Sequence, residues 1–215
     1  AALSLEKIRD YKKADSIYDF VEKHLNGLPS ELQFKYYLYR GRSYYNRHEF
    51  KQSASLLEAA YKVKCEKATE NETILLDNLG ISYNHLGQFK KSLPLLKQLL
   101  CIQKNKYGED SDSIAIYYFL YCQALIGDKQ YKKAEVLLQK IIKLFKGDYS
   151  KNNPYYYLPF YAYLYLTHIA VETRDKVKCA RYWKQVEILK RQNPNCNLKI
   201  YYLVKKDKIK LNGCN

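Results

Sequence analysis

The chain has 215 residues, with 37 Lys and Arg against 22 Asp and Glu, a formal net charge of +15, 24 tyrosines, and only 8 glycines and 5 prolines. A content of 47% hydrophobic residues is enough for a substantial core, and so few helix breakers exclude a turn-rich β fold in favour of long helices with short turns. The six cysteines form no CxxC pair and no histidine stands at metal-ligand spacing, which excludes a zinc site, while the most apolar stretch, 155–166, is short and broken by Pro159 and cannot cross a bilayer.

Residues 3–25 read as one helix or a bent pair, with Ala14, Ile17, Tyr18, Val21 and Leu25 on one face. Asn26-Gly27-Leu28-Pro29-Ser30 then stops that helix and starts the next, with Ser30 as the expected N-cap. An aromatic helix is predicted over 31–47, a turn at Arg47-His48-Glu49, and a helix over 50–64. After a polar connector come helices at about 72–86 and 89–106, hinged at Gly87. The glycine-centred stop at 107–112 places Asp110 and Asp112 where acids favour a helix N-terminus. Helices at about 112–126 and 131–145 form the next pair, followed by the longest loop, 147–154. The pair 155–173 and 176–192 follows, and a Lys-rich helix over 198–211 is expected to cap the array.

A sub-pattern recurs through these elements at intervals of about 40 residues, the mark of stacked supersecondary units. Its clearest copy is Leu79-Gly80-x-x-Tyr83-x-x-x-Gly87-x-Phe89-x-x-Ser92-x-x-x-Leu96. A second reads Gly41-x-x-Tyr44 and then Phe50-x-x-Ser53-x-x-x-Leu57, and others run Tyr131-x-x-Ala134-x-x-x-Leu138 and Tyr11-x-x-Ala14-x-x-x-Tyr18. Gly41 and Gly80 are expected to let paired helices approach closely, and Ala14, Ser53, Ser92 and Ala134 to receive a bulky neighbour.

These residues resemble tetratricopeptide repeats, in a long-period style similar to the kinesin-light-chain-like branch and to the peptide-sensing domains of bacterial regulators. The resemblance implies an all-α, right-handed α-solenoid of antiparallel helix pairs. It would form one domain: a partial repeat over 1–27, repeats over about 31–65, 72–106, 112–146 and 155–192, and the cap. Two departures stand out: the first helices lack Trp, and two residues look inserted in the turn Gly127–Tyr131. A start inside a helical repeat, with no Met at Ala1, implies a piece of a longer protein.

In such arrays the first helix of each pair lines a concave groove. Projection onto that geometry puts Tyr39, Arg42, Tyr45 and Asn46 on the groove side of one helix, Asp77, Asn78, Ile81, Asn84 and His85 on the next, and Tyr117, Tyr118 and Tyr121 on the third, with Tyr165 and His168 extending the row. Asn78 and Asn84 lead, because an Asn amide both donates to and accepts from a ligand backbone, and the resemblance implies a peptide-holding Asn near this place. Arg42 could anchor an acidic group through a charge-assisted fork, or simply face water. The tyrosines read mostly as seam packing.

The expected function is a non-enzymatic protein- or peptide-binding scaffold, with no cofactor and no metal. The four histidines lie apart from partners that could build a catalytic group; His85 shares a helix face with Ser82, which falls short of one. A peptide-responsive sensor of a bacterial regulator is the alternative. Nucleic-acid binding is a weaker one, resting on twelve basic residues against three acids over 174–210. Scattered cysteines, read as reduced thiols and mostly as small buried hydrophobes, suggest a cytoplasmic setting.

Overall fold

The computed structural model describes Ala2, Ser4 and residues 10–63, 70–145 and 155–192. All regular structure among the described residues is helical. Helix α1 spans Tyr11–Glu22 and is followed by a 3-10 turn, Leu25–Gly27. Next come α2 (Ser30–Asn46), α3 (Phe50–Val63), α4 (Glu70–His85) and α5 (Phe89–Tyr107). A 3-10 turn at Asp112–Ile114 leads into α6 (Ala115–Gly127), and α7 (Tyr131–Leu144), α8 (Leu158–Glu172) and α9 (Lys176–Gln192) complete the described chain. The chain divides into two compact units, Ala1–Leu95 and Leu96–Asn215.

One turn is used four times. His48, Gly87, Lys129 and Arg174 all have positive φ (62°, 71°, 60° and 58°), and each stands two residues before a second helix. The following amide reaches back to the carbonyl five residues earlier, as Glu49 N–H to Tyr44, Gln88 to Tyr83, Gln130 to Leu125 and Asp175 to Ala170, at 2.8–2.9 Å. This is the Schellman closure, which satisfies carbonyls left open at a helix end. Only Gly87 marks it in the sequence. Gly127, read as the turn glycine before an insertion, is the last residue of α6, and Lys129 takes the left-handed position. The third turn is therefore no longer than the others.

Five residues after each left-handed residue stands a small, buried one: Ser53, Ser92 and Ala134 at 0% exposure and Cys179 at 1%. Ala14 repeats the environment in α1. The two serines also use their hydroxyls: Ser92 Oγ donates to the Gly80 carbonyl at 2.8 Å, and Ser53 and Ser82 share a hydrogen bond of 3.1 Å. Gly41 faces the same junction from α2, where a Cβ would sit 2.7 Å from Leu57 Cγ. The pair α2–α3 is thus as close as its smallest residue permits.

Arg40 and Arg47 tie α1 to α2. Arg40 is buried and donates to Asp19 at 2.6 Å, Glu22 at 2.7 Å and the Tyr36 hydroxyl at 2.5 Å, while Arg47 reaches Asp15 at 2.8 Å and lies 4.3 Å over the Tyr44 ring.

Several local readings are corrected. Ser30 is the first residue of α2 and Pro29 takes the cap position, because proline's fixed φ suits the helix entrance and leaves Ser30 inside it. Cys101 is exposed on α5, off the apolar face, and Cys179 is in a disulfide, whereas Cys101 and Cys122 are free thiols. A disulfide depends on which sulfurs the fold brings together, which spacing along the chain does not reveal. The loop 147–154 and the expected capping helix over 198–211 lie outside the described residues.

Candidate binding face on the first helices

In the Ala1–Leu95 unit the first helices α2 and α4 meet. Tyr39 of α2 donates through its hydroxyl to Asn71 Oδ1 of α4 at 3.4 Å, and Arg42 lies 5.3 Å from the centre of the Tyr39 ring, one turn away. Further along, Tyr45 is half-buried beside Asp77: its hydroxyl is pushed up to about 12, first by burial and then by the negative charge of Asp77. Burial alone pushes the Asp77 carboxyl up to about 6.

An aromatic stack closes this end. The Tyr45 ring lies 6.0 Å from Phe50, and Phe50 stacks on His85 with centroids 3.8 Å apart and planes 6° from parallel. His48, in the left-handed turn position, approaches Phe50 from the side at 5.8 Å. Burial, and then repulsion from His48, push His85 down to about 4, so it is neutral at ordinary pH. His85 is stacked against Phe50, and the Ser82 hydroxyl shares its hydrogen bond with Ser53. The stack was missed from sequence, where Phe50 and His85 belong to different repeats and Phe50 reads only as a motif aromatic.

Asn78 and Asn84 are more enclosed than a freely solvated groove wall implies, at 6% and 3% exposure. Two polar atoms here are buried without a hydrogen-bond partner: Asp77 Oδ1, an acceptor, and Asn78 Nδ2, a donor. Such a buried group costs about 1–3 kcal/mol relative to a satisfied one. The structure therefore brings Tyr45, Asp77, Asn78 and His85 into one neighbourhood, with Tyr39 and Arg42 further along α2. Ile81 is half-buried and Asn46 exposed.

In the Leu96–Asn215 unit the expected groove residues are largely core. Tyr118 is 1% exposed, with the Lys104 and Lys140 ammonium groups 5.5 and 5.1 Å from its ring centre. Its placement on an open groove wall is corrected: the ring is buried with two lysine ammonium groups over it. Tyr165 and His168 of α8 are buried too; Tyr165 accepts from Gln123 of α6 at 3.2 Å and packs its ring 5.3 Å from Phe119. Tyr117 and Tyr121 stay half-buried. No group of three or more His, Cys, Asp or Glu that could hold a metal occurs among the described residues.

The tetratricopeptide repeat family matches residues 71–147 in sequence. That stretch is tetratricopeptide repeat. Solved structures extend the fold beyond it. BtubC (BKLC) from P. vanneervenii aligns with a TM-score of 0.69 at 16% identity, covering 90% of this chain and 78% of that one. A putative kinesin light chain with TPR-like repeats from Podosopora anserina aligns at 0.58 and 16% identity, covering 77% and 78%. A Rap protein complexed with Competence and Sporulation Factor aligns at 0.59 and 18% identity, covering 87% of this chain and 51% of that one. At these identities the likeness is one of fold, and the fold is the all-α helix-pair repeat of the tetratricopeptide family. No curated protein matches the chain by sequence. No described helix is long and apolar enough to cross a membrane.

Proposed function

We propose that this chain is a non-enzymatic protein-interaction scaffold and that the α2–α4 face of its Ala1–Leu95 unit holds a polypeptide segment. The tetratricopeptide repeats support the scaffold. The observation that carries the finer reading is the pair of unsatisfied atoms, Asp77 Oδ1 and Asn78 Nδ2. One accepts and one donates, the complement of the N–H and C=O that an extended peptide offers. A bound backbone would satisfy both once the two side chains turn out of their buried positions toward it, and would remove their penalty. Tyr39, Arg42 and Tyr45 would then contact its side chains, with Asn84 and His85 bordering it from α4 and Tyr118 and Tyr121 left to the other unit's packing.

A Rap protein of this fold is solved with Competence and Sporulation Factor, and a peptide-responsive sensor is the second reading. It requires a shape change on binding, which small-angle scattering with and without the peptide would detect. A cytoplasmic setting belongs to the same proposal; the free thiols of Cys101 and Cys122 suit it and the disulfide of Cys179 does not.

A random peptide library displayed on phage and panned against the chain provides the test. Selected peptides should lose about tenfold or more in affinity to Asn78→Ala or Asp77→Ala, as loss of a buried hydrogen bond predicts, while the melting curves stay cooperative. Selected peptides whose affinity ignores both substitutions would exclude this face.

A further inference from the structure

Charge is partitioned between the two kinds of helix in the Leu96–Asn215 unit. The first helices α6 and α8 contain no Lys or Arg, whereas α7 carries four lysines against one acid and α9 six cations against one acid. The buried residues Ala134, Leu138 and Ile141 of α7, and Cys179, Tyr182, Val186 and Leu189 of α9, turn these cations outward. The two helices are neighbours: Glu135 of α7 accepts from Lys178 Nζ at 2.7 Å and from the Tyr182 hydroxyl at 3.3 Å.

Two acids of this surface are already engaged. Glu135 is taken by Lys178, and Glu109 is held at about 2 by hydrogen bonds from Lys104 and Lys140 at 2.6 and 3.0 Å. Lys132, Lys143, Arg181, Lys184, Lys190 and Arg191 have no ion pair among the described residues. Among them stand exposed apolar side chains, Val136 at 65%, Val177 at 71% and Ile188 at 37%. A depression of about 700 Å³ beside α7 is lined by Asp110, Val136, Gln139, Lys140, Lys143 and Leu144.

We infer that the α7–α9 face docks an acidic protein segment that also carries apolar side chains. The cations specify the sign of the partner, because a surface of one sign attracts and orients the other. The valines specify its class. Phosphodiester chains would use the lysines and leave Val136 and Val177 in water, and an apolar partner would leave the cations unpaired on burial. On α9, Val177, Arg181, Lys184, Ile188 and Arg191 follow one another at intervals of three or four residues, so cations and apolar groups lie on one stripe.

The probes are a fluorescein-labelled peptide of Glu and Leu, with leucines at i, i+3 and i+4, a Glu-Gly peptide of equal charge, an oligothymidylate and phosphatidylserine vesicles. The Glu-Leu peptide should bind most tightly, lose about tenfold or more to the double reversal Arg181→Glu, Lys184→Glu, and lose several-fold to Val136→Ser. The reversals lie on exposed positions, and a circular-dichroism melt checks folding; Lys143→Glu is the substitute if they impair it. Tighter binding of the oligonucleotide or the vesicles, equal binding of the Glu-Gly peptide, or indifference to the reversals would overturn the inference. Asn78→Ala should leave this binding unchanged, so failure here is separable from failure of the α2–α4 reading.

Discussion

Helices α4 and α8 hold the same place in their pairs and both bury apolar residues, Leu75, Leu76 and Leu79 among them on α4, but α4 buries more polar side chains. In α8, twelve of fifteen residues are buried and nearly all are apolar or aromatic, among them Leu158, Phe160, Leu164, Tyr165 and Leu166. In α4 the buried set includes Asn78, Ser82 and Asn84, with the Asp77 Oδ1 atom also out of solvent. A helix apolar all round belongs in a core, whereas buried polar groups without partners are costly and cluster where a ligand can satisfy them. The same architecture thus gives one first helix an apolar core role and leaves another with buried polar groups, the feature on which the proposed α4 binding face rests.

The largest test of that contrast is truncation. Phe160→Ala in α8 should cost about 3–5 kcal/mol, whereas Asn78→Ala in α4 should cost under about 1 kcal/mol because the amide nitrogen bonds to nothing. Urea unfolding of both variants reads the difference, and equal losses would break the comparison.

Acid titration sharpens it next. The folded Asp77 carboxyl titrates at about 6, above its ordinary 3.8, so folded protein binds that proton more tightly than unfolded. Its contribution to stability rises as pH falls from about 6 to about 4, and the penalty is complete above 6. His85 runs the other way: titrating at about 4 instead of 6.5, it removes stability as pH falls through the same window. Asp77→Asn should therefore gain on the order of 1–3 kcal/mol at pH 7 and become more acid-labile. His85→Phe should instead lose less stability than the parent chain on acidification to pH about 4. Melting temperatures across that range decide, and parallel profiles for the two variants would refute the assignment.

The smallest effect concerns the turns, where the two units agree. Lys129→Gly, Arg174→Gly and His48→Gly each replace a side-chain-bearing residue at positive φ. Each should raise stability by about 0.5–1 kcal/mol, to a similar extent in both units. Differential scanning calorimetry would show it. A loss at one of the three positions would mean that its side chain contributes more than its backbone strain costs.

Much of the helix pattern was legible because apolar spacing at 3.6 residues and stop signals such as Asn26-Gly27 and Gly108 act locally. The small residues Ser53, Ser92 and Ala134 were legible for the same reason, as one repeated steric requirement. The turns were less so: three of four place His, Lys or Arg where glycine is the signal, since the Schellman bonds hold the backbone whatever side chain it carries. Gly127 misled, because a glycine at a helix end resembles a glycine in the turn beyond it. The candidate site was half legible. Helical projection put Asp77, Asn78 and His85 on one helix, but could not say that Phe50 would cover His85 or that Tyr118 would sink beneath two lysines.

The residue pattern alone determined that this polypeptide makes paired helices with a repeating small-residue contact, because helix periodicity and close packing are written within each unit. Which polar groups ended up buried and unsatisfied, which acids were consumed by lysines, and which cations were left on the surface were decided only by tertiary structure. Desolvation and ion pairing depend on neighbours from other helices, and those neighbours stand tens of residues away along the chain.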